Sequence, residues 1–124
     1  MKNLDPISFE ILKNSLISIA EEMGVVLRKS SFSPNIKERR DYSCALFNAS
    51  GQLVAQAEHV PVHLGAMPYS VQAVMKEFKD DLVEGDDIIL NDPYRGGTHL
   101  PDITMVSPIF FKQKLVGFTV NRAH

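Results

Sequence analysis

The sequence predicts an α+β fold: a long N-terminal helix, two β-hairpins and a second short helix, together forming the N-terminal part of a larger α/β subunit. Three observations lead there. An apolar pattern of helical period opens the chain. Two pairs of β-prone runs each flank a short polar turn. A second, shorter helical pattern lies between the two pairs.

Asp5-Pro6 supplies the first helix start, because Asp accepts the orphan N–H groups of a first turn and Pro at N1 loses nothing by lacking one. Ile7, Ile11, Leu16, Ile19, Met23 and Val26 then recur every three to five residues, beside Leu12, Ala20 and Leu27. This spacing predicts one helix over 7–27 with a buried Ile/Leu/Met stripe. Ser30-Ser31 and Ser33-Pro34-Asn35 end it, and Ile36 to Asp41 reads as a charged, solvated connection.

Tyr42 to Phe47 and Gln52 to Gln56 flank Asn48-Ala49-Ser50-Gly51 and read as a hairpin. Cys44 falls inside the first strand, where it reads as a small core residue. Pro68 to Phe78 predicts the second helix, with Val71, Val74, Met75 and Phe78 on one face. Ile88-Ile89-Leu90 reads as a short buried strand, followed by a loop rich in turn formers from Asn91 to Asp102. Ile103 to Phe111 and Leu115 to Asn121 form the second hairpin around Lys112-Gln113-Lys114.

Composition narrows the function classes. The 124 residues carry 13 Lys+Arg against 15 Asp+Glu, a formal net charge of −2. A nonspecific polyanion binder needs a basic excess to displace counterions, so no nucleic-acid partner is expected despite Lys37 to Arg40. The single cysteine excludes an internal disulfide and fits a reducing compartment. No apolar run is long enough to span a membrane, and the N-terminus holds no secretory signal pattern, so a cytoplasmic location is expected. Arg122-Ala123-His124 closes the chain without a turn or cap, so residues 1–124 are read as one segment truncated at its C-terminal end.

His99-Leu100-Pro101-Asp102 is the most suggestive chemical motif. Imidazole nitrogen and carboxylate oxygen are both ligands for a borderline divalent metal such as Zn or Mn. Pro101 forbids a helix here, so His99 and Asp102 would converge through a turn. Hairpin register decides whether His124 joins them. With a three-residue loop, paired residue numbers sum to 226 and His124 lies opposite Asp102; a two-residue loop turns it to the other face. Val106/Val120 favours the first register and Met105/Val120 the second. The competing reading is that His99 orders the loop and Asp102 caps a strand end. His59 and His63 are four apart, but Pro61 between them argues against an i, i+4 ligand pair. Gly96-Gly97 lacks the Lys-Ser/Thr of a phosphate-binding loop, so turns explain it better.

Several stretches together resemble the opening of the hydantoinase B/oxoprolinase family. They are Asp5-Pro6, Ala20 to Gly24, Phe32 to Arg39, Asp41 to Phe47, Ala57 to Gly65, Leu90 to Asp102 and Asn121 to His124. The resemblance covers the whole chain but only the N-terminal fraction of the much longer family subunits. It implies a B-type subunit of an ATP-dependent hydrolase acting on cyclic amides of the hydantoin or 5-oxoproline type. It further implies a hetero-oligomer in which a hydantoinase A/oxoprolinase-type partner uses ATP to phosphorylate the substrate oxygen. The B-type subunit then completes the reaction at a divalent metal. In the carboxylase branch of the family the metal ligands fall on the positions of His99, Asp102 and His124. His59 and His63 are then candidate catalytic proton donors in the same cleft. An acetone or acetophenone carboxylase-type subunit is the second reading, and a non-catalytic segment that binds an A-type partner is the third.

Overall fold

The computed structural model describes residues 5–39, 41–57, 61–78, 80–92 and 102–123, without the side chains of 61–65. Element order is α1 (Pro6–Ser30), α2 (Pro34–Lys37), β1 (Tyr42–Asn48), β2 (Leu53–Ala57), α3 (Pro61–Glu77), β3 (Ile88–Leu90), β4 (Ile103–Phe111) and β5 (Lys114–Ala123). The five strands form one antiparallel sheet in the order β2-β1-β5-β4-β3. Both expected hairpins are present, and pairing of β1 with β5 joins them into that single sheet.

Asp5 caps α1 as its sequence position predicts: its Oδ1 accepts the Ser8 N–H at 2.7 Å and its Oδ2 accepts the Ser8 hydroxyl at 3.1 Å. Arg28 and Lys29 occupy the last turn, where cations suit the carbonyl end of the helix dipole. Arg28 Nε also donates to the Lys37 carbonyl at 2.9 Å, tying α1 to α2. The expected charged connection therefore starts inside one helical turn, with Pro34 at its beginning.

Two faces of the sheet bury different sets of residues. Ala45, Phe47, Phe118, Val120 and Val106 face α3 and pack with its Met67, Val71 and Val74 into the main core. Cys44, Leu46, Ala55 and Ala57 are buried on the opposite face, where α1 lies across β1 and β2. The α1 stripe departs from expectation. Ala20 and Gly24 are the buried positions of the helix, whereas Ile7, Ile11, Ile19 and Val26 are exposed and Leu16, Met23 and Leu27 half-buried. Small residues let the helix axis approach the sheet and leave the larger side chains pointing aside.

Two further expectations are corrected. The second helix begins at Pro61, seven residues before Pro68, which lies in its interior. Pro61 does not break this helix; it starts it, because a first-turn residue has no intrahelical N–H bond to lose. Strand β3 exists but is not buried, since it is the sheet edge and Ile89 points outward with 61% exposure.

The β4–β5 hairpin resolves the register in an unexpected way. Its loop has two residues, Lys112 and Gln113, both at positive φ (50° and 66°), as a type I′ turn requires. Pairing begins at Phe111↔Lys114 and Phe110↔Leu115, summing to 225. A bulge between Ile109 and Phe110 then adds one residue, leaving Val116 without a cross-strand partner. From Ile109↔Gly117 to Ile103↔Ala123 every pair sums to 226. The two-residue loop and the register of a three-residue loop therefore coexist.

Candidate functional site

The bulge has a direct consequence at the far end of the sheet. It sets Arg122 directly opposite Thr104 on β4, and the β1–β5 ladder sets it opposite Ser43. Directly opposed residues share a face, so Arg122 follows Phe118 and Val120 onto the side covered by α3. Alternation also assigns that face to Asp102, two residues before Thr104.

The result is a buried polar cluster where the apolar core ends. Arg122, Thr104, Ser43 and Ser70 are fully buried, and Asp102 retains 3% exposure. Arg122 Nε donates to Thr104 Oγ1 and its Nη2 donates to Ser70 Oγ, each at 2.6 Å. One guanidinium thus links β5 to β4 and to α3. Burial lowers the Arg122 pKa from its ordinary value, and the charge of Asp102 opposes that shift. A guanidinium stays protonated in proteins, so the cluster is a buried cation with a nearby carboxylate.

Other candidate groups divide clearly. Burial pushes the Cys44 thiol up to about 12, which leaves it protonated and unreactive, in line with a core role. A cleft of about 320 Å³ lies between α3 and β3. Val74, Glu77, Phe78, Ile88, Leu90 and Asp92 line it. Largely apolar walls carrying two acidic side chains suit a small, largely apolar molecule with a polar head.

Of the residues singled out from sequence, Asp102 is the one the structure places, at the entry of β4. His59, His99 and His124 lie outside the described residues, and His63 is described only as backbone in the first turn of α3. Among the described residues no three His, Cys, Asp or Glu side chains form a metal-holding group. The ladder ends at Ile103↔Ala123, so Asp102 immediately precedes it and His124 immediately follows it in sequence. Arg122, Thr104, Ser43 and Ser70 escaped the sequence reading as a group. Their one signal was a charged residue at a core-facing position of an alternating strand, and that position is defined only once the register is known.

Comparison with known proteins now places the molecule. The hydantoinase B/oxoprolinase profile matches residues 5–124. The chain belongs to this family. It is similar to 5-oxoprolinase 1 of Arabidopsis thaliana, with 50% identity over 120 residues that cover 97% of this chain and 10% of the relative. Among solved structures, the ATP-dependent caprolactamase of Pseudomonas jessenii superposes with a TM-score of 0.88 at 32% identity, covering 99% of this chain and 21% of that one. A nucleotide-free acetone carboxylase superposes with a TM-score of 0.89 at 22% identity, over 97% of this chain and 16% of that one, and shows a shared fold. The chain therefore spans between about a tenth and a fifth of the length of the relatives it matches. Among the described residues of this family member, no helix is long and apolar enough to cross a membrane.

Proposed function

We propose that the protein containing this chain is an ATP-dependent hydrolase of cyclic amides. Its substrate would be activated by phosphorylation on a hydantoinase A/oxoprolinase-type partner and opened with the help of a divalent metal. The observation that carries the reading is the family match together with the two named relatives. One is an oxoprolinase and the other a caprolactamase. Their names specify rings of different size that share one functional group, a lactam.

The chemistry is consistent with that group. A lactam resists water because the nitrogen lone pair stabilises the carbonyl. Phosphorylating its oxygen makes the ring carbon electrophilic, so that water adds there. The C–N bond breaks as the nitrogen takes up a proton, and the acyl phosphate left behind is hydrolysed to carboxylate and phosphate. A bound Zn or Mn ion would supply Lewis acidity and a nucleophile at neutral pH. Asp102 fits the oxygen ligand of such a site, being a buried carboxylate at a strand end, and the 226 register supports placing position 124 opposite it. His99 and His124 would complete an N₂O donor set suited to either ion. His59 and His63 would serve as proton donors to the departing ring nitrogen. The carboxylase reading rests on likeness of fold with acetone carboxylase and is the weaker of the two.

The test is hydrolysis of 5-oxoproline, hydantoin and caprolactam by the full-length protein, with and without ATP and an A-type subunit. Turnover that requires both is the expected result. Ring opening by the isolated protein without ATP overturns the activation step. Metal content of the full-length protein, measured after replacing His99 and Asp102 together by Ala, is expected to fall to background; unchanged content overturns the ligand assignment.

A further inference from the structure

We infer that Arg122 is a positioning residue for the Asp102 carboxylate, with Ser70 and Thr104 as the two anchors that fix its guanidinium. The inference rests on the reading of Asp102 as a metal ligand and adds a role for three residues outside the ligand set.

Geometry comes first. Arg122 is fully buried on the central strand of the hairpin pair, and its two 2.6 Å bonds run to different elements, Thr104 on β4 and Ser70 on α3. Two donors of one planar fork held this way leave the guanidinium a single orientation. The cost of such an arrangement is large, since an arginine taken out of water loses much of its solvation before any partner offsets it. Packing alone does not call for it. The two preceding positions on the same face, Phe118 and Val120, are apolar and equally buried. An apolar side chain of similar volume is often the more stable choice at such a place.

The charge has a counterpart. Asp102 is almost fully buried on the same face, two residues before the Thr104 that pairs with Arg122 and accepts from its guanidinium. A short carboxylate entering a strand has two free torsions, and a fixed cation beside it selects among them. Carboxylates that bind metals are usually held by such an outer partner, and losing that partner weakens the metal on the order of 10–100-fold. Asp102 has oxygens enough to face a guanidinium and a cation together.

The experiment measures Mn and Zn affinity of the metal-free full-length protein by calorimetry, with the thermal midpoint of each metal-free variant recorded in parallel. Arg122→Gln is expected to weaken binding 10–100-fold. Arg122→Lys keeps the charge but loses the fork, and is expected to recover only part of that loss. Ser70→Ala and Thr104→Val each remove one anchor, and each is expected to weaken binding several-fold while the protein stays folded. These two keep the test decisive where Arg122→Gln fails to fold. Lowered thermal midpoints with wild-type metal affinity in Arg122→Lys, Ser70→Ala and Thr104→Val overturn the positioning role and leave a purely structural one. Wild-type affinity in Asp102→Ala overturns the ligand reading itself, and the positioning role with it.

Discussion

The two faces of the sheet solve the same packing problem with opposite means. Toward α3, large side chains interdigitate: Phe47, Phe118, Met67, Val71, Val74, Val106, Val120 and Ala45 are buried in one cluster. Toward α1, the buried residues are mostly small, with Ala20 and Gly24 of the helix and Cys44, Ala55 and Ala57 beside Leu46 on the strands. Ile11 is 63% exposed and Val26 65% on that same helix. Beyond the helix, Ile103, Ile109 and Ile89 are exposed on β3 and β4, away from the main contact of α1 with β1 and β2. A groove of about 460 Å³ separates α1 from the β5 residue Asn121. The Asn121 Oδ1 there is buried without a hydrogen-bond partner among the described residues. The α3 face is thus a finished core, and the α1 face is a close backbone approach flanked by uncovered apolar surface.

This contrast predicts unequal responses to truncation. Phe118→Ala removes a fully buried ring from the α3 core and is expected to cost about 3–5 kcal/mol. Ile11→Ala trims an exposed side chain and is expected to stay within about 0.5 kcal/mol. Urea unfolding of the chain measures both. A cost for Ile11→Ala approaching that of Phe118→Ala would break the comparison.

The α1 face is expected to respond the other way, to enlargement. Ala20 has no exposed surface, and a close helix–sheet contact leaves no room for three extra heavy atoms. Ala20→Leu is expected to cost about 1–3 kcal/mol by overpacking, although leucine is a good helix former. Ile19→Leu, one position away on the half-exposed side, serves as the control and is expected to be near neutral. A stabilising Ala20→Leu would mean that the small-residue contact is loosely packed.

These effects show where the sequence was legible. Helical and alternating periods located α1, β1, β2, β4 and β5, because each reflects one repeating geometry. Which stripe of α1 meets the sheet was not legible, because hydrophobicity ranks Ile above Ala and Gly while close approach reverses that order. The start of α3 was missed because Pro61 and Pro68 look alike in sequence, yet the first is a helix start and the second interrupts one i→i−4 bond. Lys112-Gln113 hides a type I′ turn that Asn-Gly would have announced. The bulge beside Val116 reconciles a two-residue loop with the Val106↔Val120 pairing; Met105 pairs with Asn121 instead, so the Met105/Val120 alternative is not formed. Asp102 was legible as a polar side chain entering a strand, where the structure buries it. Its neighbour Arg122 was not, since only the completed register brings Arg122 to Thr104 and Ser70.

The smallest effect is expected at the exposed start of α1, where no packing competes with the cap. The Ser8 backbone N–H, then its hydroxyl, lower the Asp5 pKa below its ordinary 3.8. A depressed carboxylate adds stability that is fully present above the unfolded value and is lost as pH falls through the folded one. Acidification below 3.8 should therefore loosen this helix end. Asp5→Asn keeps the side-chain oxygen that caps and removes the titration. Because the other carboxylates titrate in both proteins, the quantity to measure is the difference in unfolding free energy between wild type and Asp5→Asn as pH falls from 6 to 2. That difference is expected to shrink on the acid side, with wild type losing its advantage. A difference that stays constant over the range would show that Asp5 caps through geometry alone, and that its charge adds nothing where the helix stands clear of the sheet.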